Sequence, residues 1–245
     1  MLSLHHHHLH HFFLLLLSAL LFSSESAIGA VHRIKTPSEF TSFVSSVNSD
    51  GKNYLGTTVY LESDLSLSGV VDPIGKSTSR YFQGVFDGRG HTISNLKINS
   101  ATEFAGLFRY STGLTIRNVV LDGSCSISSS YNSGSDTSNS YVAAFLGYCS
   151  NLVKSCILEN NVNMAGVTFG GVTRLLQMGG IGGDLSASSS YTSTVKNCVN
   201  YGSLTKSGTV NWCSNIGGIV GSLTHPSYPK YIRNCANYAK LYIAV

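Results

Sequence analysis

Charge is scarce in this chain: Asp, Glu, Lys and Arg make up 11% of its 245 residues, while Ser, Gly, Asn and Thr are abundant. Helical globular proteins draw heavily on Glu, Lys, Ala and Leu, so this balance speaks against a mainly helical fold. Beyond residue 30 no apolar run approaches the roughly 20 residues that a membrane-spanning helix needs. No Asn-x-Ser/Thr sequence occurs despite the many Asn and Ser residues, which excludes N-glycosylation. Metal-ligand spacings, phosphate-cradling glycine loops and a nucleophile elbow are missing too, and no His and Asp arrangement selects one serine as a nucleophile. The expectation is therefore no catalytic residue, no metal, no cofactor and no nucleic acid.

What is present is repetition. "VKNCVNYGSL" (195–204) returns 37 residues later as "IRNCANYAKL" (232–241). Further copies read "VKSCILENN" from Val153, "IRNVVLDGS" from Ile116 and, more loosely, "ISNLKIN" from Ile93. A second motif interleaves with the first: "AGLFRY" (105–110), "AAFLGY" (143–148), "GGIGGD" (179–184) and "GGIVGS" (217–222). Their central residues Leu107, Phe145, Ile181 and Ile219 are spaced by 38, 36 and 38. Two motifs sharing one long period mark a repeat architecture. The 23 residues between Ile93 and Ile116 set an expectation of about twenty residues per turn of chain, two turns per repeat, built from short strands.

The expected fold class is all-β: a right-handed parallel β-helix (β-solenoid) with a short N-terminal capping α-helix. Residues 1–30 read as a signal peptide, with an apolar run from Phe12 to Phe22 followed by small residues. Its polar head carries six His and neither Lys nor Arg, a departure from the usual basic start. Residues 31–56 form the N-terminal cap. Within it an amphipathic helix over 37–48 starts from a capping box, with Thr36 as N-cap, Pro37 first and Glu39 third. Phe40, Phe43, Val44 and Val47 supply its apolar face. Residues 57–245 form the β-helix. Its C-terminal end, "KLYIAV", has no capping device, which points either to a longer protein or to self-association through that end.

Stacking gives each column of the repeat a role. Asn95, Asn118, Ser155, Asn197 and Asn234 are expected as a ladder of corner residues whose side chains satisfy turn backbone and one another. Gly106, Gly180 and Gly218, with Ala144 as the exception, mark corners of close backbone approach. Cys156, Cys198 and Cys235 share a column with Leu96 and Val119, so they read as buried thiols. At two turns per repeat they would stand about 10 Å apart, beyond disulfide reach. The pairing of Cys125, Cys149 and Cys213 stays open.

"YFQGVFDGRGHTISNLKI" (81–98), followed by "AGLFRY" and "TIRNVVL", resembles the start of GLUG-repeat proteins, and "GGIVGS…IRNCANY" resembles their repeat unit. The lead-in "VYLESDLSLSG…DPIG" (59–75) fits as well, and the likeness runs from about Ile34 to the C-terminus. It implies a right-handed parallel β-helix of the pectin-lyase-like kind in exported or surface-displayed, adhesin-like proteins. Arg109, in place of the motif's final Gly, and Ala144 depart from the pattern.

The residue after the first apolar position of each motif is Arg117, Lys154, Lys196 and Arg233, with Ser94 in the first copy. An outward basic stripe of this kind suits an anionic glycan or a host or matrix surface, with binding weakened by salt. It serves equally to keep an exposed sheet soluble. Tyr201 and Tyr238 follow the last two basic positions as stacking surfaces. Asp122 and Glu159 fall in one outward column, where two carboxylates one repeat apart either bridge an ion or stand as solvated turn residues; glycoside hydrolysis needs a pair at a defined separation. Ser-rich loops over 124–140, 184–193 and 222–230 are expected to leave the scaffold. The reading is a secreted or cell-surface protein with a binding, adhesion or display role. A polysaccharide lyase or glycoside hydrolase, and a spacer within a longer surface protein, stay as alternatives.

Overall fold

The computed structural model describes residues 29–134, 138–150, 152–185, 191–223 and 230–244. All but the last two positions of the expected signal peptide lie outside the described residues. So do the centres of the three expected loops, at 135–137, 186–190 and 224–229. The described chain is all-β, with parallel sheets and one helix.

There are five sheets, of 7, 6, 5, 4 and 4 strands, labelled A to E in the order the chain visits them. Sheet A comprises Ala30–Ile34, Thr57–Leu61, Val85–Asp87, Thr115–Arg117, Cys156–Glu159, Ser193–Lys196 and Lys230–Arg233. Sheet B follows with Leu65–Ser66, Thr92–Ser94, Val120–Leu121, Val162–Asn163, Val199–Asn200 and Ala236–Asn237. Sheet C takes Lys97–Ser100, Ser126–Ser129, Gly166–Phe169, Leu204–Lys206 and Leu241–Ile243. Phe104–Ala105, Asn139–Ala143, Val172–Gly179 and Thr209–Gly217 make sheet D, and Phe108–Ser111, Leu146–Cys149, Gly182–Asp184 and Val220–Ser222 make sheet E.

One circuit through all five sheets takes one whole repeat: Val162 pairs with Val199, and Ser193 with Lys230. The expected shorter turns, two per repeat, do not form. That expectation treated Ile93 and Ile116 as equivalent, but Ile93 lies in sheet B opposite Leu121 while Ile116 lies in sheet A opposite Phe86. Equivalent residues of successive repeats are thus direct ladder neighbours, about 4.8 Å apart.

Alternation along each short strand sends one column inward. In sheet A that column is Val59, Phe86, Ile116, Leu158 and Val195, all fully buried. In sheet C it is Ile98, Ile127, Val167 and Leu204. In the last described circuit the same columns hold Ile232 and Leu241, which are 47% and 50% exposed. The opposite end is covered by the helix Pro37–Asn48, which has the full Thr36/Glu39 capping box and buries Phe40, Phe43, Val44 and Val47. Phe43 packs on Phe82 at 5.7 Å and on Phe86 at 5.9 Å between ring centroids. Burying an aromatic side chain of this size contributes about 1.5–3 kcal/mol.

The corner after sheet A requires left-handed backbone: φ is 55°, 54°, 54° and 52° at Asn118, Asn160, Asn197 and Asn234. Asn adopts this region more readily than other residues with a Cβ. The side chains bond up the axis, Asn160 Nδ2 donating to Asn118 Oδ1 at 3.0 Å, Asn197 to Asn160 at 3.0 Å and Asn234 to Asn197 at 3.4 Å. Asp87 heads the ladder by accepting from Asn118 at 2.9 Å. Two expected rungs are corrected. Asn95, with φ of 56°, sits at the corner after sheet B and donates to Ser66 Oγ at 3.0 Å. Ser155 is no rung, because "VKSC" (153–156) only mimics the motif and the sheet A register pairs Leu158, not Val153, with Val195.

A second amide ladder is buried. Asn163 and Asn200 are both fully buried, Asn163 Nδ2 donating to Asn200 Oδ1 at 2.8 Å and Asn200 Nδ2 to Asn237 Oδ1 at 2.9 Å. Asn200 Nδ2 also donates to the Gly218 carbonyl at 2.8 Å. A Cβ on Gly180 would lie 2.1 Å from Asn200 Nδ2, and one on Gly218 2.2 Å from Asn237 Cγ. The glycine motif therefore clears the space into which the buried amides project.

Asn200→Ala is expected to destabilise the chain by about 2–3 kcal/mol, since it orphans several buried partners at once. At the outer corner, Asn197→Ala is expected to cost about 1–2 kcal/mol and Asn197→Gly less, because glycine takes the left-handed backbone freely. Chemical denaturation of the three variants checks the ranking.

Beside the helix, the His32 ring packs 5.9 Å from Phe43 and 5.5 Å from Tyr54. Burial, aided by the Lys52 charge and opposed by Glu39, holds its pKa below the ordinary 6.5. The folded chain thus favours neutral His32, so this group's contribution is whole above pH 6.5 and is lost as pH falls through the lower folded value. His32→Gln is expected to flatten the acid side of a melting-temperature profile measured between about pH 7.5 and about pH 5.

Candidate functional site

The outward column of sheet A runs Asp87, Arg117, Glu159, Lys196, Arg233. Arg117 Nε donates to Asp87 Oδ2 at 2.9 Å, and Lys196 Nζ lies 2.9 Å from Glu159 Oε1. Lys154 is not in this column; its Nζ donates to the Gln83 carbonyl at 3.4 Å, and burial lowers its pKa. The expected basic stripe is corrected to a column that alternates in sign over its first four positions and ends in two basic residues, Lys196 and Arg233. Arg233, the last position, stacks its guanidinium 4.4 Å from the Tyr231 ring centre. Partly exposed pairs such as these are worth about 0–1 kcal/mol each, and the two acidic partners weaken the outward field of Arg117 and Lys196.

The thiol column also changes with the register. Cys198 and Cys235 share a column, but Asn161 occupies the position expected for Cys156, which pairs instead with Ser193. Cys198 and Cys235 are adjacent rungs, so distance does not keep them apart as expected. A parallel in-register ladder points both side chains the same way, about 4.8 Å apart, and a disulfide needs a shorter Cβ separation. Among the described residues no disulfide joins two of the six cysteines. Burial pushes Cys198 up to about 12 and Cys125 up to about 11, and raises Cys156 beside Cys149 well above the ordinary thiol range.

Tyr201 and Tyr238 do come together. Their rings stack with centroids 5.1 Å apart and planes within 13°, and the residues are 51% and 67% exposed. Met164, 43% exposed, precedes them at the equivalent position just after sheet B, and Asp122 stands one circuit earlier. Asp122 and Glu159 therefore lie on different faces, which corrects the expected shared column.

A larger aromatic group was not anticipated. Phe104 and Tyr141 are neighbouring rungs of sheet D, stacked at 5.3 Å and 23°. Tyr110 and Tyr148 are neighbouring rungs of sheet E, stacked at 5.7 Å and 22°. Tyr141 and Tyr148 meet across the two sheets at 4.9 Å. Burial raises both their phenol pKa values, and the nearby Asp184 carboxylate adds to the effect. Successive rungs exchange the rings for Gln177 in sheet D and Asp184 in sheet E. The signal lay in the final Tyr of both "AGLFRY" and "AAFLGY".

Among the described residues no group of three His, Cys, Asp or Glu side chains is placed to hold a metal ion. The chain matches no family model, no curated protein and no solved structure.

Cys156 and Cys198 are expected to resist iodoacetamide at about pH 8 in the folded chain, where a free thiol with ordinary pKa reacts readily. All six thiols should label after denaturation. Mass spectrometry of native and unfolded samples checks this.

Proposed function

We propose that this chain is a right-handed parallel β-helix of the GLUG-repeat kind, secreted or displayed at a cell surface, and that it binds glycans without cleaving them. The in-register repeat ladder and the capping helix support the architecture. The observation that carries the binding role is the exposed, stacked Tyr201–Tyr238 pair. Aromatic rings keep an apolar face and a polar hydroxyl available together, which suits a sugar's alternating C–H and O–H surface. The alternating charge ladder contributes solubility and register on the neighbouring sheet rather than affinity.

The test is a panel of neutral and acidic glycans at low and high salt. The wild-type chain is compared with Tyr201→Ala/Tyr238→Ala and with a variant carrying Gln at 117, 196 and 233. Loss of about tenfold or more in affinity is expected for the tyrosine variant, and little change for the charge variant. Bond cleavage by the purified chain would favour a polysaccharide-active enzyme. Absence of binding to every glycan would favour an architectural spacer.

A further inference from the structure

Cys149 ends the second strand of sheet E, Cys156 opens the next strand of sheet A, and both are fully buried. The connecting chain is anchored on the circuit before it: the Ser150 N–H donates to the Ser111 carbonyl at 2.9 Å and the Val153 N–H to the Thr112 carbonyl at 3.0 Å. The parallel register shows how near the two cysteine positions come. Cys156 stands opposite Ser193 of the next circuit. Cys149 follows Tyr148, whose partner is Asp184, and so stands opposite Leu185. In that next circuit Ser193 Oγ donates to the Leu185 carbonyl at 2.8 Å. The same corner one circuit earlier holds two thiols, joined to each other by a hydrogen bond. Other buried thiols turn to backbone instead, Cys125 Sγ to the Ile93 carbonyl at 3.2 Å and Cys198 Sγ to the Leu158 carbonyl at 3.6 Å.

We infer that Cys149 and Cys156 are a built disulfide site, oxidised by a small disulfide such as oxidised glutathione. The thiolate of one cysteine attacks the oxidant's S–S bond and expels a thiolate, leaving a mixed disulfide. The second cysteine attacks that mixed disulfide, forms the intramolecular S–S bond and expels the second thiolate. Two electrons pass to the oxidant, and the two cysteine protons end on its released sulfurs. Burial holds Cys156 in its protonated form, opposed by the nearby Lys154 and Lys230 charges, and both thiols are sealed from solvent. The bond therefore closes on the folding chain, while this corner is still open. Chain passing from sheet E to sheet A is short at 112–114 and longer at 150–155, and a cross-link stabilises more as the loop it closes lengthens. The columns also accept a small polar residue here, since Ser111 neighbours Cys149 and Ser193 neighbours Cys156. Replacement of either cysteine by Ser thus suits its surroundings.

The experiment is refolding of the full reduced chain in a mixture of oxidised and reduced glutathione, then alkylation in denaturant and peptide mapping without reductant. The expected product is about 2 Da lighter than the reduced chain, with Cys149 linked to Cys156 and the remaining thiols alkylated. Its melting temperature should lie about 5–10 °C above that of the reduced chain. Cys149→Ser and Cys156→Ser should each abolish the link and the rise, whereas Cys198→Ser should keep both. If a variant does not fold, the oxidised wild type decides, through its peptide map and through loss of the rise on reduction. These readouts involve no glycan, so their failure is distinct from failure of the binding proposal. No link, a link between other cysteines, glutathione retained on either thiol as the end product, or a melting temperature that the link leaves unchanged or lowers would each overturn the inference.

Discussion

Everything in this molecule depends on the parallel, in-register hydrogen-bond ladder between successive circuits. It places each residue directly above its counterpart, about 4.8 Å away, so every column must be chemically compatible with itself. Apolar columns satisfy this by packing. The charged column of sheet A satisfies it by alternating sign over Asp87, Arg117, Glu159 and Lys196, and Arg233, which follows with the same sign as Lys196, stacks on Tyr231. Amide columns satisfy it best, because a carboxamide has a donor for one neighbour and an acceptor for the other. The inward column of sheet B shows the switch between two solutions, passing from Leu65, Ile93 and Leu121 to Asn163 and Asn200. Asn163 at the boundary turns its Oδ1 to the Ala165 N–H at 3.0 Å, so the apolar neighbour leaves it no unmet acceptor.

The two sequence motifs share a period because they touch. The buried amides of the Asn–Tyr motif press against the glycines of the Gly–Gly motif, where a methyl group at Gly180 would sit 2.1 Å from Asn200 Nδ2. In these two circuits the glycine leaves the room that the amide fills, Gly180 for Asn200 and Gly218 for Asn237. In the earlier circuits the interior is filled by Phe82, Phe86 and Phe108 under the helix, and there Phe108 and Arg109 stand where the later circuit has Gly182 and Gly183.

The helix, its capping box, the parallel sheets and most apolar columns were legible in the sequence, since each rests on local pattern and period. The register of one repeat was not. "VKSC" imitates "VKNC" letter for letter but one, and identity of letters outweighed spacing. Spacing was the better guide: the centre of the glycine motif precedes the inward residue of sheet A by 13 residues at Phe145–Leu158, 14 at Ile181–Val195 and 13 at Ile219–Ile232. That slip hid Asp87 and Glu159 as partners of the basic residues and so produced an apparent stripe of one sign.

The ladder also sets how the molecule yields to tension. The middle circuits grip their neighbours through short strands in all five sheets and the last described one through three, yet each is joined to the next by a single covalent thread. A pull on the thread loads the outermost circuit alone, strand after strand, while the rest stay closed. Where rungs are 37 residues apart, peeling one circuit pays out roughly 120–130 Å of extended chain. A chain built this way lengthens in discrete increments under load, and each increment dissipates work while the circuits beneath remain intact.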